Sequence, residues 1–131
     1  MASPFTAMLE GTAPCHKLFE NERFFSILEP SPLSCGHALV IPKKEIDYLF
    51  DLSEEELAEL FALGKKIAAA IRKTCPCEKI AVMAYGLKVR HAHVHLIPVS
   101  GKPGELDFSN QKKAPDPELE ILAQKIRRNI S

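Results

Sequence analysis

Three histidines alternate with apolar residues at positions 91–95, in the segment His-Ala-His-Val-His, and Leu-Ile-Pro follows. In an extended strand successive side chains point to opposite faces, so residues two apart share a face and lie about 7 Å apart. The pattern therefore predicts a strand with an imidazole row on one face and with Ala92, Val94 and Leu96 packed on the other. Three of the five histidines of the chain lie in these five residues, which is more than a solvated polar face needs.

The length and charge of the chain narrow the class of protein. At 131 residues it is expected to form one domain over residues 1–131, burying about two thirds of the surface that the unfolded form exposes. Lys plus Arg number 17, and Asp plus Glu also number 17. This balance removes the usual electrostatic argument for nucleic acid or an anionic membrane as main partner. Because no basic run precedes an apolar core near the amino terminus, and no stretch reaches transmembrane length, the sequence predicts a cytoplasmic protein.

The cysteines are expected to be reduced. Cys15, Cys35, Cys75 and Cys77 belong to a compact chain of cytosolic type, in which cysteines are more often buried thiols than disulfides. Cys75 and Cys77 are separated by a single residue, whereas the cysteines of zinc sites usually have two to four residues between them. The pair is therefore a weak candidate for a metal site.

Hydrophobic periodicity and breaker residues divide the chain into strands and helices. Residues 18–28 predict two strands around an Asn-Glu turn, 37–41 a third strand ended by Pro42, and 80–85 a fourth. A short connection leads to the histidine strand, which favours an antiparallel hairpin of the last two strands. The order β-β-β-α-β-β-α predicts an α+β fold, with a five-stranded antiparallel sheet and two helices on one face.

Both predicted helices carry signals in their first turns. The first is predicted over residues 51–73, where Ser53 and Glu56 form a capping box. The last is predicted from Asp116 as the N-cap, with Pro117 at the first helical position. Residues at helical spacing predict the core side of the first helix (Leu57, Leu60, Phe61, Gly64, Ala68 and Ile71) and of the last (Leu119, Leu122, Ala123 and Ile126).

The histidine row suits nucleophilic catalysis better than a shared metal. In an extended strand His91 and His95 lie about 13 Å apart, whereas two ligands of one tetrahedral ion must lie within about 4 Å of each other. Two of the three histidines could share a metal, but all three could not. An imidazole is also a nucleophile towards phosphorus, provided that a neighbour fixes its tautomer and donors surround the phosphoryl oxygens. A central histidine with a histidine on each side meets both needs.

Two blocks of the sequence resemble one known family. His91–Ile97 is similar to the motif His-φ-His-φ-His-φ-φ of the histidine triad (HIT) nucleotide hydrolases and transferases. Phe24–Glu29 and Gly36–Lys44 resemble the other characteristic block of that family, in the same order and at a similar separation. The resemblance is strongest to the small bacterial members related to the purine nucleoside phosphoramidases, or Hint-like proteins. It implies a HIT-like fold and a homodimer whose two sheets join into one.

The same resemblance implies a role for each site residue. His93 is expected to attack the α-phosphate of a purine nucleotide and form a nucleotidyl-histidine intermediate that water resolves. His95 is expected to bond the phosphate oxygens and the leaving group, and His91 to orient the site with support from His37. Glu29 stands where the family usually has a ribose-binding aspartate. The base is expected to bind against Phe5, Met8 and Ile27, which are apolar residues suited to a purine face.

The chain departs from the family pattern at two places. Gly86–Arg90 replaces the usual Gly-Gln-Ser/Thr before the triad, and Lys88 and Arg90 are either replacement phosphate contacts or solvated charges. A subset of the family binds structural zinc through two cysteines, a further histidine and the first histidine of the triad. The triad position is His91 here, and the other three correspond to Ser3, Thr6 and Glu45. Because these residues are poor zinc ligands, the sequence predicts no metal, and no cofactor is expected.

Two other functions remain open from the sequence alone. The altered segment before the triad, at Leu87-Lys88, favours a nucleotide-binding regulatory module that keeps the fold with little turnover. The other hypothesis is a metal hydrolase built on the histidine row, which predicts that a chelator abolishes activity.

Overall fold

A five-stranded antiparallel sheet forms the centre of the molecule, described for residues 2–130 in a computed structural model. Across the sheet lie the first, second, third, fifth and fourth strands of the chain, in that order, and every neighbouring pair is antiparallel. The predicted α+β class and the five-stranded sheet are therefore confirmed. The elements are α1 (Pro4–Leu9), β1 (Lys17–Glu20), β2 (Phe24–Leu28), β3 (Ala38–Pro42), α2 (Glu54–Thr74), β4 (Lys79–Met83), β5 (Val94–Val99) and α3 (Asp116–Asn129), with 3-10 turns at Leu49–Asp51 and Phe108–Asn110.

The sheet has a different apolar core on each face. Alternate residues of β2 and β3 point to opposite faces, and both strands are buried throughout. On one face α2 and α3 pack over residues such as Phe24, Val40 and Val94. On the other face the six-residue helix α1 contributes Phe5 to a smaller cluster, together with the β2 and β3 residues Phe25, Ile27, Leu39 and Ile41.

The short helix α1 is absent from the sequence prediction. Six residues are too few for an apolar period to be recognised. A local signal is nonetheless present, because Ser3 is the N-cap and accepts the Thr6 N–H, while Pro4 occupies the first helical position. A capping residue followed by proline would have located this helix.

The long helix α2 has the predicted capping box, but it begins at Glu54 rather than at residue 51, and its core side is partly different. Ser53 Oγ accepts the Glu56 N–H at 3.1 Å, and Glu56 Oε1 accepts the Ser53 N–H at 2.9 Å, so the capping box is confirmed. Phe61 is 45% exposed and its prediction as core was wrong. It lies in an apolar groove between α2 and β4, and the residues of α2 that are buried are Leu60, Leu63, Gly64, Ile67, Ala70 and Ile71.

The cysteines are all free thiols, but they are not uniformly buried. Cys75 is buried, while Cys35 is exposed and the other two are half-buried. The expectation of buried thiols therefore holds for Cys75 alone. Gly36 packs directly against Cys75, because a β-carbon at Gly36 would lie 3.0 Å from the Cys75 sulfur.

The histidine segment enters the sheet later than predicted. The β4–β5 hairpin is confirmed, with Met83 opposite His95, but β5 begins at Val94. The prediction of a continuous strand from His91 was therefore wrong for residues 91–93. The reason is that this stretch makes contacts outside the ladder, such as the bond from the Ala92 N–H to the Ile46 carbonyl at 2.7 Å. Within residues 2–130, no helix is long and apolar enough to cross a membrane.

Candidate active site

A cavity of about 550 Å³ opens on the face of the sheet that carries α1. Six predicted site residues line it, and nine further residues complete the wall. Ile27 is fully buried and is not among the lining residues, whereas its cross-strand neighbour Leu39 is. The predicted residues at the cavity are Phe5, Met8, Glu29, Lys88, His93 and His95, and the others are Pro4, Pro30, Leu39, Met83, Tyr85, Gly86, Val89, Phe108 and Gln111.

The middle histidine is held with a free lone pair towards the cavity. His93 Nδ1 lies 2.7 Å from the His91 carbonyl oxygen. Because a carbonyl only accepts, Nδ1 carries the proton, and the neutral ring then has its lone pair at Nε2. Phe5 packs edge-on against the His93 ring at 5.0 Å. The arrangement presents a nucleophilic nitrogen in an apolar wall.

A directed hydrogen-bond chain orients His95. The Leu33 N–H donates to His37 Nδ1 at 3.0 Å, so the neutral His37 ring carries its proton on Nε2. That N–H donates to His95 Nδ1 at 2.9 Å. His95 is then protonated at Nε2, and since its ring lines the cavity, this N–H is a donor for a bound anion or a leaving group.

Burial keeps these imidazoles neutral near pH 7. Desolvation, with a smaller contribution from the charge of His95, lowers the pKa of His37 to about 3. Desolvation and the neighbouring His93 lower the pKa of His95 to about 4. Desolvation also lowers the pKa of His93, against the bond to the His91 carbonyl, which raises it. A neutral His93 has the lone pair that nucleophilic attack requires.

The low pKa values predict a loss of stability in mild acid. An unfolded histidine has a pKa of about 6.5, so below that pH the unfolded chain binds protons that the buried rings do not. The contribution of His37 and His95 to the free energy of unfolding should be constant above about pH 6.5 and should fall by at most about 1.4 kcal/mol per pH unit for each of the two down to about pH 4. Urea unfolding at pH 7.5 and pH 5 measures this. His95→Asn should show a shallower decline, and an equal decline would contradict the assignment.

Glu29 lies beside the two linked histidines. Its Oε2 accepts the Ser31 N–H at 3.1 Å, and desolvation raises the pKa of its carboxyl group. Ligand atoms of Glu29, His37 and His95 all lie within 4.8 Å of one another, which is close enough for one ion. The donor set fits a metal poorly, because the Leu33 N–H occupies His37 Nδ1 and leaves an N–H, not a lone pair, facing the cluster.

The four positions that the sequence related to a zinc site come together in the structure. Ser3 Oγ lies 2.5 Å from His91 Nδ1. Glu45 Oε1 accepts the Ser3 N–H at 2.5 Å and the Thr6 hydroxyl at 2.6 Å. The cluster is a closed hydrogen-bond network of hydroxyl, carboxylate and imidazole groups. Hydroxyl oxygens are weak zinc ligands beside thiolate, which supports the prediction of no metal there.

The two cations before the triad have different surroundings. Lys88 lines the cavity, where its ammonium group can meet a phosphate. Arg90 is exposed and pairs with Asp47 at 3.5 Å. The structure therefore brings Lys88, and not Arg90, to the site.

Three of the nine cavity residues that the sequence prediction lacks have an aromatic ring or a side-chain amide. Phe108 packs edge-on against His95 at 5.1 Å and against His37 at 6.1 Å. Gln111 donates to the Ser31 carbonyl at 2.9 Å and reaches the cavity beside Glu29. Tyr85 lines the cavity but is 68% exposed. Phe108 and Gln111 belong to the irregular stretch between β5 and α3, where no periodic pattern signals a site.

Comparison with known proteins finds a family model that matches most of the chain. The family model described as HIT domain matches residues 10–102. The uncharacterized HIT-like protein Rv1262c of Mycobacterium tuberculosis (strain ATCC 25618 / H37Rv) is 35% identical over 103 residues, which are 75% of this chain and 72% of that protein. The adenosine 5'-monophosphoramidase hnt1 of Schizosaccharomyces pombe is 34% identical over 110 residues, covering 80% of this chain and 77% of that enzyme.

Solved structures share the whole architecture. The hypothetical histidine triad nucleotide-binding protein ST2152 of Sulfolobus tokodaii superposes with a TM-score of 0.84 at 28% identity, covering 96% of this chain and 90% of that one. A Zn-bound histidine triad family protein of Mycobacterium smegmatis superposes with a TM-score of 0.82 at 29% identity, covering 99% of this chain and 94% of that one.

Proposed function

Because this chain belongs to the HIT domain family, we propose that it is a nucleotide hydrolase or transferase that cleaves nucleoside monophosphate derivatives at the α-phosphate. The observation that carries the proposal is that the adjacent imidazole rings of His93 and His95 have opposite roles, one with a free lone pair and the other with a free N–H. Both rings line the cavity, His93 with its lone pair at Nε2 and His95 with its N–H at Nε2, and their ring centroids lie 5.0 Å apart. One nitrogen serves as nucleophile and the other as donor.

The reaction follows from these two protonation states. His93 Nε2 forms a bond to the α-phosphorus while the bond from phosphorus to the leaving group breaks, and the His95 N–H stabilises the departing atom by a hydrogen bond while that atom takes a proton from water. Water then attacks the nucleotidyl-histidine, the bond to Nε2 breaks, and the proton of the attacking water is released to solvent, so that His95 keeps its N–H throughout. In this scheme neither step needs a metal ion. The leaving group is proposed to be an amine, an acyl group or a second nucleotide.

The cavity wall supports a purine nucleotide as substrate. Phe5 and Met8 give an apolar surface for the base. Glu29 can accept hydrogen bonds from the two ribose hydroxyls, and Lys88 can meet the phosphate. The similarity to an adenosine 5'-monophosphoramidase favours an adenosine phosphoramidate as the first substrate to test.

Trapping the intermediate tests this function. The protein is mixed briefly with adenosine 5'-phosphoramidate, quenched in alkaline denaturant and digested for mass spectrometry. We expect an adenylyl adduct on the peptide that contains His93, fragmenting at that residue, and turnover that persists in excess chelator. An adduct on His91 or His95 would overturn the assignment. Nucleotide binding without turnover would instead support a regulatory module, and loss of turnover with chelator would support a metal hydrolase.

We further propose that two copies join through the β4 edge. The sheet ends at β4, so one side of this strand has backbone groups without a strand partner among residues 2–130. Beside it, Phe61 is 45% exposed and Val82 is 57% exposed, and both line the groove between α2 and β4. A second copy of β4 placed antiparallel would continue the sheet and cover both side chains.

Disrupting this edge should separate the copies. Phe61→Glu places a charge in the groove, so we expect a monomer where the unmodified protein sediments as a dimer at micromolar concentration. Ile121 is equally apolar and is 55% exposed on α3, and Ile121→Glu provides the matched control that should remain dimeric. An unmodified protein that sediments as a monomer, or a Phe61→Glu variant that stays dimeric, would contradict the interface.

The free thiols support a cytoplasmic location for this domain. Four unpaired cysteines are typical of a reducing compartment. Cell fractionation with an antibody should find the protein with soluble cytoplasmic markers, and recovery from an oxidising compartment would contradict the proposal.

A further inference from the structure

The stretch that carries His91 and His93 depends on contacts outside the sheet. It precedes β5, which begins at Val94, so no ladder fixes it. The Ala92 N–H bonds to the Ile46 carbonyl, and the His91 ring is fully buried. Because the His93 Nδ1–H bonds to the His91 carbonyl, any displacement of His91 also displaces the nucleophile.

The His91 ring is held at both nitrogens by different elements. Nε2 lies 2.7 Å from the Pro42 carbonyl on β3, and since a carbonyl only accepts, this nitrogen carries the proton. The neutral ring then has its lone pair at Nδ1. Ser3 Oγ lies 2.5 Å from that nitrogen, so the Ser3 hydroxyl is the donor. Ser3 stands at the start of α1, while Pro42 belongs to the sheet.

The Ser3 hydroxyl is itself oriented by its neighbours. Its oxygen accepts the Thr6 N–H at 3.0 Å as the N-cap of α1. Its backbone N–H is held by Glu45, whose same oxygen accepts the Thr6 hydroxyl. Thr6 Oγ1 is a second possible acceptor of the hydroxyl proton, but it lies 3.3 Å from Ser3 Oγ, against 2.5 Å for His91 Nδ1. The shorter contact directs the proton to His91. The Phe5 ring packs edge-on against the His91 ring, with their centroids 5.4 Å apart, and so holds α1 against that ring.

We propose that Ser3 is a positioning residue for the nucleophile. Its hydroxyl holds the ring of His91, and the His91 carbonyl holds His93 with Nε2 aimed into the cavity. Glu45 acts one step further out by holding the backbone of Ser3. This inference rests on the proposed function, because it assigns His93 as the group to be positioned. The amino-terminal helix is thereby part of the catalytic apparatus rather than a cover for the core.

Three variants test the assignment by steady-state kinetics with adenosine 5'-phosphoramidate. Ser3→Ala should lower kcat by about 10-fold to 100-fold, as loss of an orienting partner does, with KM changed by less than about threefold. Ser3→Thr keeps the hydroxyl and should recover most of the rate. Ser53→Ala removes an N-cap hydroxyl of the same chemistry from α2, far from the histidines, and should leave kcat unchanged. Equal kcat values for Ser3→Ala and Ser53→Ala would overturn the proposal.

Nitrogen-15 NMR of the imidazoles gives a readout that does not need turnover. At pH 7.5 the unmodified protein should show His91 protonated at Nε2 with a hydrogen-bonded Nδ1, and Ser3→Ala should move the His91 Nδ1 resonance downfield. An unchanged resonance would overturn the role of Ser3. If the unmodified protein hydrolyses no nucleotide while the resonance moves, the proposed function fails and the contact between Ser3 and His91 stands.

Discussion

Replacing His93 by alanine should lower kcat/KM for adenosine 5'-phosphoramidate by at least about a thousandfold, because the reaction then loses the atom that forms the covalent bond. In the structure the His91 carbonyl sets the tautomer of His93 and leaves the lone pair at Nε2, the nitrogen that we propose attacks phosphorus. No other ring can substitute for it, since the Nδ1 of His95 is already engaged by His37. Steady-state rates at saturating and low substrate concentrations measure the change.

A histidine outside the cavity provides the control for this substitution. His16 lies between Asp116 and Glu120 at 3.2 and 3.0 Å and does not line the cavity. His16→Ala should keep kcat/KM close to that of the unmodified protein, even if it weakens the attachment of α3. A His93→Ala variant that keeps more than about a tenth of the activity would refute covalent catalysis at His93.

Replacing Gly36 by alanine should lower the free energy of unfolding by about 2–4 kcal/mol. Backbone strain and a steric clash both destabilise the folded protein when a β-carbon is added at this position. Its φ of +88° is strained for a residue with a β-carbon, and the added carbon would lie 2.8 Å from Ile71 Cγ2 and 3.0 Å from the Cys75 sulfur. Both neighbours are buried, so the loop between β2 and β3 must move away from α2. Urea unfolding at pH 7.5 measures the loss.

Substitution of Gly11 distinguishes the free-energy cost of backbone strain from that of the steric clash. It has a similar φ of +79°, but no atom lies within 4 Å of an added β-carbon. Gly11→Ala should therefore cost only the backbone strain, about 1 kcal/mol. Equal losses for Gly11→Ala and Gly36→Ala would show that packing against α2 contributes nothing. Because Gly36 precedes His37, we also expect Gly36→Ala, and not Gly11→Ala, to lower turnover.

Local patterns in the sequence predicted most of the sheet and the face of the last strand that carries histidine, because alternation and breaker residues are short-range signals. The capping box at Ser53 and the hairpin that pairs Met83 with His95 are examples. The exposure of Phe61 was not predictable in the same way. Helical spacing identifies an apolar side, but the position of the sheet edge decides which residues of that side are covered.

The histidines at the cavity were predicted from the sequence, whereas cavity residues on the irregular chain after β5 were missed. His93 and His95 belong to the histidine motif, although His93 lies just before β5, while Phe108 and Gln111 follow β5 in a stretch without period. The bend at residues 91–93 could not be foreseen either. It results from contacts with Pro42 and Ile46, which are more than forty positions away in the chain, and no local propensity encodes such partners.

The amide of Leu33 has a consequence for how this site tolerates sequence change. It is a main-chain N–H that determines which nitrogen of His37 is protonated, and through His37 which nitrogen of His95 is. Every amino acid except proline has this donor. Replacing the side chain at position 33 by that of any residue except proline therefore keeps this hydrogen bond and the direction of the hydrogen-bond chain. Proline precedes it at position 32. A shift of that residue by one place would remove the donor that fixes which nitrogen of His95 carries the N–H.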